Sequence, residues 1–374
     1  MERDQASKFM FDLLRLMTSK KGSDLFITAG FPPAIKIDGK MTPVSSQVLT
    51  SAHTMDLARS IMNDKQTASF ELTKEANFAI SPGDLGRFRV SAFVQMSSVG
   101  MVLRTITSEI PRLEDLGLPD VLKDVVMSKR GLVVMVGATG SGKSTTLASM
   151  IDHRNSNVSG HILTIEDPIE YLHRHKKSVV NQREVGLDTH SYHDALKNAM
   201  REAPDVIMIG EIRDSETMEA AISFSETGHL CLATLHSNNA DQTLERILNF
   251  FQESAHRNVL MNLALNLRAV ISQRLVIGKD GRRLPAVEVL LNTPLIRDMI
   301  RRGQIHEMKE AMERSLQEGM QTFDQALMSL YKRGIIELEE ALTKADSRDG
   351  LALKIRLSEG ADAPVHDPFD ATTF

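Results

Sequence analysis

Residues 137–144 read Gly137-Ala-Thr-Gly-Ser-Gly-Lys143-Ser144 and fit the pattern G-x-x-x-x-G-K-[S/T], in which a glycine-rich loop wraps phosphate groups. The apolar run Leu132–Val136 precedes this motif, and Thr145–Ile151, which can continue as a helix, follows it. Glycines let backbone N–H groups converge on phosphate oxygens, and the start of a helix adds positive potential. Lys143 is then expected to reach the β- and γ-phosphates of a nucleotide and Ser144 to bind Mg²⁺. The residues predicted to line this phosphate loop are Gly137, Ala138, Thr139, Gly140, Ser141, Gly142, Lys143, Ser144 and Thr145.

Short apolar runs that alternate with helical periods surround this motif. The runs, each of strand length, are Leu132–Val136, His161–Ile165, Val206–Ile209 and Leu230–Leu235. Such alternation predicts an α/β fold with a largely parallel sheet and helices on both faces. After Pro294 the pattern becomes helical, over Leu295–Arg301, His306–Gln317, Thr322–Arg333 and Glu337–Ala345.

The first 105 residues have the pattern of an α+β domain. Helices are predicted around Phe9–Met17 and over Thr50–Met62, and strands at Asn77–Ile80, Gly86–Gln95 and Val99–Ile106. The segments Asp24–Thr28 and Pro33–Gly39 are interpreted as a hairpin, with Asp38-Gly39 supplying the turn.

The pattern therefore predicts two domains and two further segments. The expected boundaries are 1–105 for the first domain, 106–120 for a linker, 121–345 for the second domain and 346–374 for a C-terminal segment. Two prolines and a glycine in Glu109–Pro119 mark the linker. The end of the chain, Ser358–Phe374, carries acidic residues and no Lys or Arg, which predicts a disordered acidic tail.

Composition excludes several classes of protein. The chain has 374 residues, 42% hydrophobic and 25% charged, which excludes disorder of the whole chain. The formal charge of −5 argues against nucleic acid or anionic lipid as the main partner, because both select basic surfaces. The single cysteine, Cys231, excludes an intramolecular disulfide and cysteine-rich metal sites. No apolar run approaches the roughly 18 residues that span a bilayer, and Met1–Lys20 lacks the features of a secretory signal. We expect a cytoplasmic protein.

Two acidic clusters follow predicted strands. Glu211 comes at the carboxyl end of the strand in Asp205–Glu211, and Glu166, Asp167 and Glu170 follow the run that ends at Ile165. Ligands of doubly wound sheets bind at the carboxyl edge, so these carboxylates are predicted to lie near the phosphate loop. Either cluster alone is more often a solvated strand end, and the neighbouring loop reverses that preference.

Two histidines, His229 and His236, bracket the strand Leu230–Leu235. Both can contact the γ-phosphate of a nucleotide, or both can be hydrogen-bonded structural residues. Spacing alone does not decide between these interpretations. Cys231, inside the strand, is interpreted as a small core residue.

In order and spacing, four stretches resemble the Walker A, Asp, Walker B and His boxes of the secretion ATPase superfamily, the GspE/PilT family. They are Gly137–Ser144, Thr164–Tyr171, Val206–Glu211, and Thr227–Leu230 with Thr234–His236. From Gly22–Leu25 through Gly319–Asp324 the chain resembles the retraction ATPases of type IV pili, and most closely their PilU-like accessory branch. The resemblance implies a PAS-like first domain, a RecA-like second domain with C-terminal helices, and a hexameric ring with ATP between subunits.

The resemblance also implies roles for individual residues. Glu170 is expected to be the catalytic carboxylate that orients the attacking water, and Glu211 to support Mg²⁺ and the water network. Arg87, Arg89 and Arg104 resemble arginines that approach a nucleotide across the subunit interface, where a guanidinium suits the charge on the transferring phosphoryl group. Without the resemblance, a solvated strand face is an equally good interpretation of these arginines.

The expected protein is a motor that hydrolyses ATP to ADP and phosphate, cytoplasmic and peripheral at the inner membrane. Its implied partners are a PilT-like retraction ATPase and the inner-membrane platform protein of the pilus. One cysteine cannot build the tetracysteine zinc module usual in assembly ATPases, which favours the retraction class. The segment Leu295–Arg301 departs from the pattern of the principal retraction ATPase, which favours an accessory role.

Two alternatives remain open at this point. A ring ATPase that translocates nucleic acid shares the same fold, although the basic pairs of this chain are short and dispersed. A nucleotide-gated adaptor, whose hydrolysis is incidental, is the other alternative.

Overall fold

The computed structural model describes residues 2–315 and 319–359. The chain divides into two compact units, one formed by Met1–Glu109 with Ile169–Arg174 and the other by Ile110–Pro168 with His175–Phe374. The short segment Ile169–Arg174 thus belongs to the first unit, although it lies within the sequence of the second. No helix among the described residues combines the length and the apolar character needed to cross a membrane.

The first unit combines three helices with one antiparallel sheet. The helices are α1 (Arg3–Ser19), α2 (Ser51–Ile61) and α3 (Asp64–Thr73), and the strands are β1 (Asp24–Ile27), β2 (Ala34–Ile37), β3 (Lys40–Pro43), β4 (Glu75–Ile80), β5 (Arg87–Gln95) and β6 (Ser98–Ile106). The six strands follow the order β3-β2-β1-β6-β5-β4. Apolar side chains of α1, among them Met10 and Leu14, are fully buried in this unit.

The predicted turn at Asp38-Gly39 joins a different pair of strands. In the structure Ile37 pairs with Lys40, so this turn connects β2 to β3. The strands β1 and β2 do pair antiparallel, but the longer segment between Ile27 and Ala34 connects them. The prediction that Asp38-Gly39 closes the β1–β2 hairpin was wrong, because β3 is short and exposed and its sequence carried no apolar alternation.

The second unit is built around a seven-stranded sheet. Its strands are β7 (Gly131–Val136), β8 (His161–Glu166), β9 (Val179–Glu184), β10 (Val206–Ile209), β11 (Leu230–Leu235), β12 (Leu267–Ile277) and β13 (Arg283–Leu291), in the order β13-β12-β7-β11-β10-β8-β9. All neighbouring pairs are parallel except β12 with β13. The largely parallel sheet predicted from the sequence is confirmed.

Helices cover both faces of this sheet. They are α4 (Val121–Val126), α5 (Lys143–Asn157), α6 (Tyr192–Ala199), α7 (Ser215–Glu226), α8 (Ala240–Asn249), α9 (His256–Asn266), α10 (Pro294–Arg302), α11 (Met308–Arg314), α12 (Phe323–Lys332), α13 (Leu338–Lys344) and α14 (Arg348–Glu359). Successive residues of β7 enter different apolar clusters, with Val134 in one and Val133 and Met135 in the other. Because side chains alternate along a strand, these clusters lie on opposite faces, as a doubly covered sheet requires.

The last helix begins in the segment that was predicted to follow the second domain. Helix α14 buries Leu351 and Ile355 against a small apolar cluster that also contains Val276 and Leu327. The predicted disorder of Ser358–Phe374 was wrong for Ser358 and Glu359, which end this helix. Residues 360–374 lie outside the described residues.

Candidate functional site

The phosphate loop occupies the turn between β7 and α5, next to the centre of the sheet. Every residue of β7 is buried, and the helix begins at Lys143. Gly137 has a φ of +145°, and a Cβ there would lie 2.4 Å from the backbone oxygen of Gln273. Gly140 has a φ of +77°, and a Cβ there would meet no heavy atom within 4 Å. The loop therefore packs tightly against the sheet at one end and is open at its middle, as a phosphate cradle needs.

Lys143 spans this loop. Its Nζ donates to the backbone oxygens of Gly137 at 2.7 Å and Ala138 at 3.0 Å. Partial burial lowers the pKa of Lys143, and the negative charge of Glu211 opposes that shift. Ser144 is exposed on the first turn of α5, where its hydroxyl can bind a metal ion. The hydroxyl of Ser141 is buried and has no hydrogen-bond partner among the residues that the structure describes, so the loop holds an unsatisfied polar atom. These features fit a bound polyphosphate.

Gln273, which the sequence pattern did not single out, braces the loop from β12. Its side chain is 2% exposed; it accepts from Thr146 Oγ1 at 2.8 Å and donates to the backbone oxygen of Ser141 at 2.8 Å. A Cβ at Gly142 would lie 2.7 Å from Gln273 Nε2. The amide thus ties the loop and the first turn of α5 to the sheet. The partners are 127 and 132 residues from Gln273 in sequence, so no local signal reveals them.

Glu211 lies at the centre of a charged cluster just beyond the end of β10. Its Oε1 is 2.9 Å from His236 Nε2, and its Oε2 accepts from Arg213 Nε at 2.7 Å. Arg213 also lies 3.8 Å from Asp167 Oδ2, and the hydrogen bond to Glu211 raises the pKa of Arg213. Asp214 caps α7 by accepting from Thr217 N at 2.8 Å. Because α7 begins at Ser215, only a short segment follows β10, and Glu211 in that segment stays at the carboxyl edge of the sheet.

The other carboxylates after β8 are placed differently. Glu166 is 7% exposed and accepts from Thr164 Oγ1 at 2.7 Å and Gln182 Nε2 at 3.2 Å. Its carboxylate is therefore hydrogen-bonded to side chains of β8 and β9, whereas Asp167 is exposed. Tyr192, which the sequence analysis did not consider, packs beside them. Burial, followed by the charge of Asp167, raises the pKa of Tyr192.

The two histidines lie at opposite ends of β11. His236 follows the carboxyl end, where it meets Glu211 and lines a cleft of about 370 Å³ together with Gly137 and Ala138. His229 precedes the strand and contacts the backbone oxygen of Phe224 at 3.1 Å. A strand of six residues is about 20 Å long. Because β11 runs parallel to β7, only His236 lies at the loop edge within one subunit, and contact of both histidines with one phosphate stays a prediction.

The remaining predicted residues belong to the first unit. Glu170 is exposed in the segment Ile169–Arg174. In the same segment, Leu172 donates its N–H to the backbone oxygen of Thr107 at 2.9 Å. In the antiparallel pair β5–β6, Arg89 lies opposite Arg104, and Arg87 is two residues from Arg89. These three arginines therefore share one face of the first sheet. Arg104 Nε donates to Asp24 Oδ1 at 2.7 Å. Within residues 2–315 and 319–359, the buried Nε of Arg87 has no hydrogen-bond partner.

Comparison with known proteins identifies close relatives. Residues 8–280 match the family model described as type II/IV secretion system protein. The chain is 56% identical over 352 residues to the type IV pilus ATPase PilU of Pseudomonas aeruginosa, covering 94% of this chain and 92% of that protein. It is 42% identical over 334 residues to the pilus retraction ATPase PilT of the same organism, covering 89% and 97% of the two chains.

Two solved structures resemble the fold over most of its length. The crystal structure of the pilus retraction motor PilT with bound ADP superposes with a TM-score of 0.84 at 42% identity, covering 91% of this chain and 98% of that one. The Legionella pneumophila ATPase DotB superposes with a TM-score of 0.78 at 29% identity, covering 90% and 94%.

Proposed function

The chain belongs to the type II/IV secretion system protein family, and from this we propose that it is an ATP-hydrolysing motor that powers or assists retraction of type IV pili in twitching motility. The observation that carries the proposal is the cluster at the carboxyl edge of the second sheet. There the phosphate loop, Glu211 and His236 converge. The similarity to PilU and PilT, whose names describe pilus ATPases, supports the cellular role.

We propose that ATP binds with its phosphates in the loop 137–144. The backbone N–H groups of the loop and the start of α5 bind phosphate oxygens, and Lys143 offsets charge on the β- and γ-phosphates. Ser144 and Glu211 would hold Mg²⁺ together with the phosphates, since Mg²⁺ takes few protein ligands at such sites. When bound, the ion neutralises negative charge that develops on the phosphate oxygens.

Hydrolysis requires an oriented water. A water oxygen attacks the γ-phosphorus, the bond to the bridging oxygen of the β-phosphate breaks, and ADP and phosphate result. We assign orientation of this water to Glu170. Glu211, held between His236 and Arg213, then supports the metal and the water network. Because both Glu211 oxygens already have partners, its geometry is fixed before ATP binds, which favours catalysis by preorganisation.

We further propose a hexameric ring with ATP between subunits, in which Arg89 and Arg104 of one subunit act on ATP held by its neighbour. The shared face of Arg87, Arg89 and Arg104 supports this, because converging guanidinium groups suit a phosphoryl group that carries spread charge. The ring would join a PAS-like first domain to a RecA-like second domain and dock at the inner-membrane platform of the pilus, on its cytoplasmic side.

Mixed rings test the action of the arginines in trans. Arg104→Ala should lower ATP turnover by about a hundredfold or more, as loss of a transition-state contact does. Adding Lys143→Ala chains, which lack a working loop but keep Arg104, should restore part of the turnover. Rings would be assembled from differently tagged chains so that mixed composition is shown directly.

The matched control is Arg59→Ala, which removes an exposed arginine of the same unit that pairs with Glu71 at 2.6 Å. It should leave turnover unchanged. If mixed rings form and yet never exceed the summed activity of their parts, the arginines do not act in trans.

The similarity to PilU and the departure of Leu295–Arg301 from the principal retraction pattern lead us to propose an accessory role. The protein would then add force to a PilT-like ATPase and bind it. In an optical trap, cells that contain this protein but lack the PilT-like partner should retract pili with little force. Cells with both should retract at full force, and the two proteins should co-purify. Full-force retraction without the partner would contradict the accessory role while leaving the motor assignment intact.

A further inference from the structure

A second polar cluster lies where the C-terminal helices meet the sheet. Arg274, on β12, donates to Asp346 Oδ1 at 2.6 Å and to the backbone oxygen of Lys344 at 2.8 Å. Its guanidinium stacks 3.9 Å from the ring centre of Phe323. Asp346 lies between α13 and α14 and has a side chain only 10% exposed. One arginine of the sheet therefore holds the junction of three C-terminal helices.

Asp346 has further partners within the same cluster. Lys309 Nζ lies 3.0 Å from its Oδ2, and the N–H of Asp346 donates to Asp324 Oδ1 at 2.9 Å. Burial alone would lower the pKa of Lys309, but the hydrogen bond and charge of Asp346 raise it. The position of Asp346 is thus set by contacts from α11 and α12 as well as from β12.

The same guanidinium reaches the loop that follows β11. Arg274 Nη2 donates to the backbone oxygen of Asn238 at 3.3 Å. Two residues later, Ala240 N donates to Glu288 Oε1 at 2.7 Å, and that oxygen also accepts from Ser272 Oγ at 3.0 Å. Ser272 and Arg274 lie on one face of β12 because they are two residues apart. This face anchors the loop between His236 and α8.

Gln273, between these two residues, faces the other way and braces the phosphate loop. One strand therefore supports both loops of the site, one with each of its faces. His236 begins the second loop and contacts Glu211 at 2.9 Å. The loop is also tied to the first turn of α8, by Ser237 Oγ to Thr243 Oγ1 at 2.6 Å and by Asn238 Nδ2 to Gln242 Oε1 at 3.0 Å. Only Ser237 separates His236 from Asn238 in the chain, so a displacement of Asn238 is transmitted to His236 through the backbone.

We propose that Arg274 and Asp346 are positioning residues that set the placement of His236 on Glu211 and so couple the C-terminal helices to ATP turnover. This inference rests on the proposed ATPase function. Neither residue needs to touch ATP, because both act through the loop 236–239. A shift of the α13–α14 junction would reach the Glu211 carboxylate through the contacts of Arg274 with Asp346 and Asn238, then along the backbone from Asn238 to His236. The contact between His236 and Glu211 completes the path.

The test compares Arg274→Met and the nearly isosteric Asp346→Asn with the wild-type protein. Each variant should lower kcat for Mg-ATP about tenfold, as loss of a partner that orients a site residue does, and change KM less than about twofold, because the lost support acts in the transition state. Lys354→Met is the matched control. It breaks the Lys354–Glu313 pair at 2.9 Å, which also involves α14 but does not involve Arg274, and it should leave kcat unchanged.

A double-mutant cycle separates positioning from general destabilisation. If Asp346 acts through Arg274 and His236, then Asp346→Asn should have little further effect on kcat when His236 is already replaced by alanine. The proposal would be overturned if the effects of Asp346→Asn and His236→Ala on kcat were independent and simply multiplied in the double variant. It would also be overturned if Arg274→Met and Asp346→Asn both kept the wild-type kcat, or if Lys354→Met lost as much kcat as they do.

Amide hydrogen exchange provides a readout that does not depend on hydrolysis. Residues 237–243 should exchange faster in Arg274→Met and Asp346→Asn than in the wild type or in Lys354→Met, without added nucleotide. Unchanged exchange in this segment would overturn the inference. Absence of ATP hydrolysis by the wild-type protein would instead contradict the proposed function, while the exchange result still decides the positioning role.

Discussion

Replacement of Lys143 by alanine is expected to abolish ATP turnover, lowering it by a factor of 10³ or more, on the order of the largest single electrostatic contributions in phosphoryl transfer. The Lys143 ammonium lies within hydrogen-bond distance of the start of the loop and within the field of Glu211. Backbone N–H groups alone do not neutralise the charge on the β- and γ-phosphates. Steady-state release of phosphate, measured beside binding of a fluorescent ATP analogue, separates loss of turnover from loss of affinity.

Because Lys143 also donates to two loop carbonyls, the variant needs a stability control. Lys176→Ala provides one, since Lys176 pairs with Asp152 of the same helix α5 at 2.7 Å but lies outside the loop. Both variants should unfold at denaturant concentrations close to that of the wild type, as expected for partly exposed lysines. Turnover by folded Lys143→Ala at even a tenth of the wild-type rate would be incompatible with the assigned phosphate loop.

The sequence predicted the centre of the second sheet well, because its parallel strands are buried on both faces and therefore appear as continuous apolar runs. The four predicted runs coincide with β7, β8, β10 and β11 to within one residue. Strands β12 and β13 were not predicted. They pair with each other over nine residues, yet β12 carries Ser272, Gln273 and Arg274 at its centre, which interrupt the apolar pattern.

The same three residues explain why part of the site was missed. Gln273 has its partners in the phosphate loop and in α5, and Arg274 has one in the loop before α8, all distant in sequence. Ser272 donates to Glu288 on the neighbouring strand β13. When its hydrogen-bond partner is unknown, a polar residue that interrupts an apolar pattern counts against the prediction of a strand. In the fold a buried polar group must be hydrogen-bonded, and here Gln273 and Arg274 each donate to a backbone oxygen in a loop of the site.

The segment Ile169–Arg174 shows a different limit. The pattern around Glu170 predicted a carboxylate near the edge of the second sheet, but the contacts of this segment are with the first unit. This grouping depends on contacts such as the hydrogen bond from Leu172 N to the backbone oxygen of Thr107 at 2.9 Å. Those partners are distant in sequence, so the spacing around Glu170 does not reveal them.

Glu170→Gln is expected to retain ATP binding and to lower turnover by about a hundredfold or more, because an amide cannot accept the proton of the attacking water. The change alters charge and not shape, and Glu170 is exposed, so folding should be unaffected. Binding of ATP should stay within about threefold of the wild-type value, since the lost interaction forms only in the transition state. Single-turnover hydrolysis measured together with equilibrium binding gives both quantities.

The matched control is Glu109→Gln. Glu109 is an exposed carboxylate of the same unit. Its N–H donates to Thr107 Oγ1 at 3.2 Å, and Thr107 forms a β-bridge with Tyr171, the residue after Glu170. Removing its charge tests whether any negative charge near this segment affects turnover. If both variants lose activity equally, the effect is one of general electrostatics. If Glu170→Gln hydrolyses ATP at the wild-type rate, Glu211 must orient the water itself, and the two carboxylates would exchange the roles assigned to them here.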